Sequence, residues 1–331
     1  MTSFKAFEVT EVAEKTYKGS VVDKQIEQLP AGEVLIEVSY SSLNYKDALS
    51  ASGNKGVTRS YPHTPGIDAA GVVRASESDA FLIGEEVIVI GYDLGMNTAG
   101  GFGQMIRVPT QWVIAKPQGL SAKESMIIGT AGFTAALCVE KLLLNGLQPE
   151  QGPVLVTGAT GGVGIFAVAL LKQLGFHVTA STGKTAAHDF LTRLGASEII
   201  DRNELSEEST KPMLREQWAG AVDVVGGATL FNVVKGLKYG GSVAACGLVQ
   251  SPIFQASVLP FILRGVNLLG VDSVVLPLAT KVAVWEKLAT IWKLSCLEEI
   301  CTEIDFNGLD SALQTVLKGG ATGRFVLDLK A

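Results

Sequence analysis

The chain has 331 residues and a formal net charge of −6 at pH 7, with 47% hydrophobic and 18% charged residues. At about 150 residues per domain, this length suggests two domains that need no disulfide or metal to fold. The mild acidity excludes a disordered acidic tail and a generic nucleic-acid-binding surface. No unbroken apolar run approaches the roughly 20 residues of a membrane span. The first residues hold no apolar signal-peptide block and reach an acidic side chain at Glu8. We therefore expect a soluble protein of the cytoplasm.

The cysteines and histidines are too scattered for the common metal sites. No Cys-x-x-Cys pair occurs, and the chain has only three histidines; the cysteines are Cys138, Cys246, Cys296 and Cys301. Structural zinc sites need four closely spaced Cys or His ligands. The Gly-x-Ser-x-Gly motif of serine hydrolases and the P-loop motif are also missing. We expect free thiols, as in a reducing compartment, and no metal site.

The first 120 residues indicate short strands separated by Gly and Pro turns. Strands are predicted at 34–40, 70–73, 86–90 and 104–108. Strands this short favour a compact β-rich domain. A long helix follows at 122–144, with Ser121 as its N-cap and Gly146 as its stop.

Strands and helices then alternate for about 130 residues. Strands are predicted at 153–157, 177–180, 198–200, 221–225, 242–246 and 266–270, and helices at 162–174, 186–194, 211–217 and 229–237. Near-continuous apolar strands separated by helices are typical of a parallel sheet covered on both faces. The tail predicts a helix at 278–294, a strand, a helix at 310–317 and a final strand at 324–329. The fold class is α/β.

The strongest functional signal is the segment Pro153-Val-Leu-Val-Thr-Gly-Ala-Thr-Gly-Gly-Val-Gly164. A buried strand enters a Gly-rich turn and then an apolar helix, which is the context of a dinucleotide site. Glycine lets the backbone approach a pyrophosphate, and helix-end N–H groups bind its charge. Ala159 stands where the usual motif has its first glycine. The alternative is an ordinary Gly-rich turn between a strand and a helix.

The charges around this turn favour NADPH over NADH. NAD sites carry a carboxylate about 20 residues after the turn, to bind the ribose hydroxyls. Residues 151–188 contain no Asp or Glu, and the second strand ends in Ser181-Thr182-Gly183-Lys184. These donors, with Arg202 after the third strand, suit a 2′-phosphate. The alternative makes Lys184 a solvated helix-start residue and Arg202 a surface charge.

Several segments together resemble the medium-chain dehydrogenase/reductase superfamily, over essentially the whole chain. They most closely resemble its NADPH-dependent acrylyl-CoA reductase branch, which is quinone-oxidoreductase-like. The segments are Ser41–Asp47, Pro65–Asp68, Ile127–Ala135, Tyr239–Leu248, Pro260–Gly265, Gly270–Ser273 and the closing Gly323-Arg-Phe-Val-Leu. The resemblance implies a GroES-like catalytic domain at 1–120 and 275–331 and a Rossmann domain at 121–274. It also implies a cofactor cleft between the domains and a homodimer formed chiefly through the Rossmann sheets.

The resemblance also shows which zinc ligands are missing. Zinc-dependent members place a Cys near the segment 44–47 and a Gly-His-Glu after the Pro turn. This chain has Asn44-Tyr-Lys-Asp47 and Gly66-Ile-Asp68 instead. One Asp does not supply the three protein ligands that a catalytic zinc needs. An alcohol dehydrogenase is therefore excluded.

A metal-free NADPH site suits the reduction of an activated carbon–carbon double bond. The resemblance implies hydride attack on the β-carbon of an unsaturated acyl-CoA, with donors stabilising the enolate and a proton reaching the α-carbon. Tyr45 is the candidate catalytic donor and nicotinamide contact; the alternative is an aromatic that only shapes the site. Asn44 and Asp47 are expected to orient the loop. The rival functions are a quinone or enone reductase and a non-catalytic NADPH-binding protein.

The remaining cofactor residues are carried over from the resemblance. The pyrophosphate contacts are expected from Thr160, Gly161, Gly162 and Val163. Leu248 is expected near the nicotinamide, and Ile262, Ser273 and Arg324 occupy matching segments, with plain core packing as the alternative for Ile262. Lys55 or Arg59 would meet the phosphates of coenzyme A.

Overall fold

A computed structural model describes residues 3–207 and 209–331. The strands are β1 Ser3–Ala13, β2 Thr16–Gln25, β3 Val34–Ser42, β4 Asp68–Ser76, β5 Glu86–Ile90, β6 Met105–Val108, β7 Val113–Ala115, β8 Val154–Val156, β9 Val178–Thr182, β10 Glu198–Asp201, β11 Trp218–Asp223, β12 Leu237–Ala245, β13 Asn267–Gly270, β14 Cys301–Ile304 and β15 Arg324–Asp328. The helices are α1 Tyr45–Ala51, α2 Ala122–Leu144, α3 Gly162–Gln173, α4 His188–Leu194, α5 Asn203–Ser206, α6 Gly227–Gly236, α7 Leu259–Arg264, α8 Leu278–Ala289 and α9 Phe306–Leu317.

The chain divides into two compact units. Unit 1 holds the residues up to Thr130 together with Val274–Lys293 and Leu297–Ala331, and unit 2 holds Ala131–Ser273 and Leu294–Cys296. The first division lies ten residues after the boundary expected at 120/121, inside α2. The first part of α2 belongs to unit 1 because the Ile127 carbonyl accepts a hydrogen bond from Arg324 of β15 at 3.1 Å.

Unit 1 is built on a mixed seven-stranded sheet. Its order is β14-β15-β3-β4-β5-β7, with β6 paired to β3. The antiparallel pairing of β15 with β3 joins the end of the chain to its beginning. A separate hairpin, β1–β2, was not predicted, because β2 is largely polar, has no buried residue and therefore lacks an apolar face. The helix α1 was also missed.

Unit 2 contains the predicted parallel sheet. The strand order is β10-β9-β8-β11-β12-β13, and every pairing is parallel. The direction of winding reverses between β8 and β11, which is the switch point where doubly wound sheets bind ligands. The α/β fold class is confirmed.

The helix predicted at 211–217 is absent, since this segment has no regular structure. Its backbone is bound elsewhere: the Leu214 N–H donates to the Lys235 carbonyl at 3.1 Å, and Arg264 of α7 donates to the Leu214 carbonyl at 2.7 Å. A helix would need those groups for its own hydrogen bonds. The helix predicted at 278–294 ends earlier, at Ala289.

The long helix α2 has the predicted bounds and an interruption. Ser121 caps it as expected, with its Oγ accepting from the Glu124 N–H at 3.0 Å. Gly129 leaves helical geometry with φ 48° and ψ −160°, a region that is open only to glycine. By length and composition this helix could cross a membrane, but 72% of its most apolar 18-residue segment is buried inside the protein. Buried core helices meet the same criterion.

We expect Gly129→Ala to lower the free energy of unfolding by about 3 kcal/mol, combining an unfavourable backbone with a buried overlap. A Cβ at this position would overlap the Ser42 Oγ and lie 2.6 Å from Asp68 Oδ2. Gly146→Ala is the matched control, because Gly146 has φ +85° but no atom within 4 Å of the added Cβ. Denaturant unfolding of both variants measures the difference. Equal losses would show that the space around Gly129 is not restrictive.

Candidate functional site

The turn between β8 and α3 has the geometry of an anion cradle. Gly158 has φ +57°, and a Cβ on Gly164 would overlap the Gly158 carbonyl oxygen and lie 2.7 Å from Ala159 Cα. Gly161 is the N-cap residue of α3, and among the residues that the structure describes no side chain caps this end. The first N–H groups of a helix without a side-chain cap attract anions. Thr160 is buried beside the turn, and the residues 161–163 are half-buried.

A buried hydrogen bond joins β8 and β11 at the switch point. The Thr157 hydroxyl donates to Asp223 Oδ1 at 2.7 Å, and the Gly226 N–H donates to Asp223 Oδ2 at 2.8 Å. Burial raises the pKa of Asp223 above its ordinary value. This residue was not identified from the sequence, although an Asp within a predicted apolar strand is a visible signal. Asp223 fixes the loop that begins α6.

The predicted phosphate donors lie together at the carboxyl end of β9. The Thr182 hydroxyl accepts from the Lys184 N–H at 3.1 Å, and the Thr182 carbonyl accepts from the Arg202 N–H at 3.2 Å. A Cβ on Gly183 would lie 2.7 Å from Arg202 Nε, so the Arg202 side chain lies beside Gly183. Burial, and then the Arg202 charge, lower the pKa of Lys184. An anion placed here would relieve the repulsion between the two cations.

The other predicted cofactor residues of unit 2 are more dispersed. Leu248 follows β12 and is 56% exposed. Ser273 is buried, and its hydroxyl is 2.9 Å from Thr134 Oγ1. Ile262 is 69% exposed on α7. The alternative reading of Ile262 as core is therefore wrong.

Unit 1 contains a buried polar cluster centred on Asp68. Its Oδ2 accepts from Ser42 Oγ at 2.5 Å, Asn44 Nδ2 at 2.8 Å and the Thr130 N–H at 2.9 Å. Its Oδ1 accepts from the Thr130 hydroxyl at 2.5 Å. The carboxylate therefore caps the part of α2 that follows the Gly129 break.

Arg324 enters this cluster from β15. It is 4% exposed, and its guanidinium donates to the Ile127 carbonyl at 3.1 Å, the Leu43 carbonyl at 3.0 Å and Asn44 Oδ1 at 3.3 Å. Its Nη2 lies 4.0 Å from Asp68 Oδ2 and is buried without a hydrogen-bond partner among the described residues. Burial lowers the pKa of Arg324, and Asp68 partly offsets this effect.

Asp47 is the second buried carboxylate of unit 1. It accepts from the N–H groups of Asn44 at 2.8 Å, Gly66 at 3.1 Å and Ile67 at 2.8 Å. Burial, and then the neighbouring Asp68, raise the pKa of Asp47 to about 7. The carboxylate joins the start of α1 to the turn before β4, as the expected orienting role requires.

Tyr45, the predicted catalytic residue, is the first residue of α1 and is 38% exposed. The two predicted coenzyme A cations lie on the loop after α1. Lys55 Nζ is 3.8 Å from a Glu11 carboxylate oxygen and 4.6 Å from the centre of the Tyr61 ring, and Arg59 is exposed. Neither cation has a role that the structure assigns.

The donor set of unit 1 does not match a zinc site. In the ranges 3–207 and 209–331, no three His, Cys, Asp or Glu side chains are grouped to hold a metal. The oxygens of Asp47 and Asp68 accept N–H and O–H groups instead. The expectation of a metal-free site rests on the missing Cys and His ligands at 44–47 and 66–68 and stays a prediction.

The chain is 43% identical to the acrylyl-CoA reductase AcuI of Ruegeria pomeroyi, over 98% of both chains. This chain belongs to the medium-chain dehydrogenase/reductase superfamily. Residues 30–118 match the alcohol dehydrogenase GroES-like domain, and residues 162–288 match the zinc-binding dehydrogenase family. The GroES-like match lies within unit 1. Unit 1 therefore contains the GroES-like domain, and the Rossmann-like parallel sheet is in unit 2.

Two solved structures of superfamily members share the whole fold. The YhdH oxidoreductase of Salmonella enterica, in complex with NADP, is 42% identical with a TM-score of 0.95, covering 98% of this chain and 99% of that one. The YhfP protein of Bacillus subtilis, with NAD bound, is 44% identical with a TM-score of 0.95, covering 99% and 100%. The two structures thus hold different coenzymes.

We expect Asp47→Ala to lower the free energy of unfolding by about 3 kcal/mol or more, because three buried N–H groups lose their acceptor. The control is Asp305→Ala at the start of α9. Asp305 also accepts hydrogen bonds from two backbone N–H groups, at 3.0 Å each. Because these N–H groups reach water, Asp305→Ala should lower the free energy of unfolding less than Asp47→Ala does. Denaturant unfolding compares the two.

The loss in Asp47→Ala should also depend on pH. Between about pH 4 and pH 7 the folded chain keeps a proton on Asp47 that the unfolded chain has released, because the folded pKa is raised to about 7 from 3.8. Stability from this group therefore falls as the pH rises through that range. The variant lacks this dependence, so its deficit should be larger at pH 5 than at pH 8. A deficit that grows with pH would contradict the raised pKa.

Proposed function

We propose that this chain is a zinc-independent reductase that uses NADPH to reduce the α,β double bond of a short unsaturated acyl-CoA, converting acrylyl-CoA to propionyl-CoA. The observation that carries the proposal is the full-length similarity to AcuI, at 43% identity over 98% of both chains. The site residues of both units are compatible with this chemistry. We place the enzyme in the cytoplasm.

The described residues fit NADPH. The start of α3, with Thr160, Gly161, Gly162 and Val163, would hold the pyrophosphate. Lys184 and Arg202 would bind the 2′-phosphate, with Thr182 and Gly183 shaping that site. The buried Nη2 of Arg324 is a donor that a bound group would satisfy. We propose Leu248, Ile262 and Ser273 as further contacts.

Tyr45 is proposed as the residue that acts on the substrate and as a contact of the nicotinamide. When bound, NADPH supplies the hydride for the β-carbon. Negative charge then develops on the thioester oxygen, and a metal-free site needs a protein donor to stabilise it. The Tyr45 phenol can donate a hydrogen bond to this oxygen or a proton to the α-carbon. Its partial exposure at the start of α1 leaves the hydroxyl accessible.

A quinone or enone reductase is the second candidate. It is favoured by the YhfP relative, which is 46% identical over 92% of both chains and is provisionally described as a quinone oxidoreductase. The same hydride chemistry would serve a free acceptor. An acyl-CoA substrate would give Lys55 or Arg59 a function, as partners of the coenzyme A phosphates, whereas a quinone or enone has no such phosphates.

We also propose a homodimer formed through unit 2. The strand β13 is the edge of the parallel sheet, and most of its residues are exposed. Leu268 of β13 and Leu263 of α7 expose apolar surface. An unpaired edge with apolar neighbours is suited to pairing with a second copy.

Steady-state NADPH oxidation tests the proposed function. We expect a higher kcat/KM with acrylyl-CoA than with a simple quinone, since the thioester substrate adds binding contacts that a quinone lacks. Preference for the quinone would favour the second candidate. Tight NADPH binding without oxidation by either acceptor would contradict both and indicate a non-catalytic binding protein.

The Lys184→Ala/Arg202→Ala double variant tests the coenzyme assignment. Charge-assisted hydrogen bonds contribute about 1.5–3 kcal/mol each, so the Kd for NADPH should rise on the order of 10²-fold. The Kd for NADH should stay unchanged, because NADH has no 2′-phosphate. Lys172→Ala, which removes an exposed cation of α3 in the same unit, should change neither constant. Equal wild-type constants for NADH and NADPH would refute the assignment.

A further inference from the structure

The Asn44 amide bridges two buried charged groups from distant parts of unit 1. Its Nδ2 donates to Asp68 Oδ2 at 2.8 Å, and its Oδ1 accepts from Arg324 Nη1 at 3.3 Å. Asp68 begins β4, and Arg324 begins β15. Both charged groups are buried, so neither exchanges this partner for water at the surface.

The two hydrogen bonds made at position 44 are suited to an amide side chain. An ionised carboxylate only accepts hydrogen bonds, and a guanidinium only donates them. A side chain that satisfies both must therefore carry a donor and an acceptor on one short stem. Asp in place of Asn44 would set two carboxylates against each other, and Ala would leave both partners with one hydrogen bond fewer.

Asn44 is also the N-cap residue of α1 and immediately precedes Tyr45. The Asn44 N–H donates to Asp47 Oδ2 at 2.8 Å, and the Asn44 carbonyl accepts from the Asp47 N–H at 3.0 Å. The helix has only seven residues, which is too short to be stable without tertiary contacts. Tyr45 itself is only partly buried, so packing of its ring contributes little to its position.

We propose that Asn44 is the positioning residue for Tyr45. Through its amide, the buried Asp68 and Arg324 hold the first turn of α1 and thereby the direction of the Tyr45 side chain. The assignment rests on the proposed function, since it takes Tyr45 to contact the nicotinamide. It differs from a purely local role, because the two partners of the amide lie 24 and 280 residues away in the sequence.

A double-mutant cycle in NADPH binding tests the proposal without needing an acceptor. Asn44→Ala should raise the Kd for NADPH about tenfold in the wild-type background and no more than about twofold in the Tyr45→Ala background. The matched control is Ser41→Ala, which removes a buried 2.6 Å hydrogen bond to the Asp68 carbonyl but leaves the amide bridge intact. This control should show no coupling with Tyr45. Asn44→Val, which removes the amide without adding a charge or a large cavity, replaces Asn44→Ala with the same expected result if that variant does not fold.

The possible outcomes distinguish the positioning role of Asn44 from the proposed function. Additive effects of Asn44→Ala and Tyr45→Ala would overturn the positioning role and leave the proposed function standing. An unchanged Kd in Tyr45→Ala would overturn the placement of Tyr45 and the positioning role with it. A coupled cycle in a protein that does not turn over acrylyl-CoA would support the positioning role and refute the proposed substrate.

Discussion

The buried pairing of Arg324 with Asp68 is the constraint on which unit 1 depends. Burying a charge costs free energy unless its hydrogen bonds are made, and the two groups are 4.0 Å apart. Ser42, Asn44 and Thr130 donate to the Asp68 carboxylate, and backbone carbonyls and Asn44 accept from Arg324, so that Nη2 is the guanidinium nitrogen left without a hydrogen-bond partner among the described residues. This requirement ties the last strand of the chain to β3, β4 and α2. It also explains the Gly129 break, since the following turn must present Thr130 to Asp68.

The electrostatics of unit 2 differ from those of unit 1, because the group expected to bind there is an anion. At its carboxyl edge, no side chain in the described part of the chain caps the start of α3, and Lys184 lies near Arg202. One carboxylate at this edge, Asp223, is buried and accepts hydrogen bonds from Thr157 and Gly226. The Asp223 carboxylate is thereby directed away from an anion at the start of α3.

The local features of this fold could be predicted from the sequence. The strand 86–90 and the bounds of α2 agree with the structure, because apolar periodicity and capping residues lie within a few positions of each other. The Gly-rich turn and the Lys184–Arg202 pair followed from strand ends that a parallel sheet brings to one edge. The Asn44–Arg324 contact could not be predicted, since it joins residues 280 positions apart. The missed helix α1 also makes distant contacts, such as those of Asp47 with the N–H groups of Gly66 and Ile67, that its own short sequence does not indicate.

The central claim is that the site reduces a carbon–carbon double bond with hydride from NADPH and without a metal. The most direct test uses NADPH that carries deuterium at both C4 positions of the nicotinamide, with acrylyl-CoA as acceptor. Mass spectrometry and NMR of the product should find one deuterium per propionyl chain, on the β-carbon, because the α-carbon takes its hydrogen from the protein or from water. NADPH oxidation that yields no deuterium in the acyl chain would contradict the account.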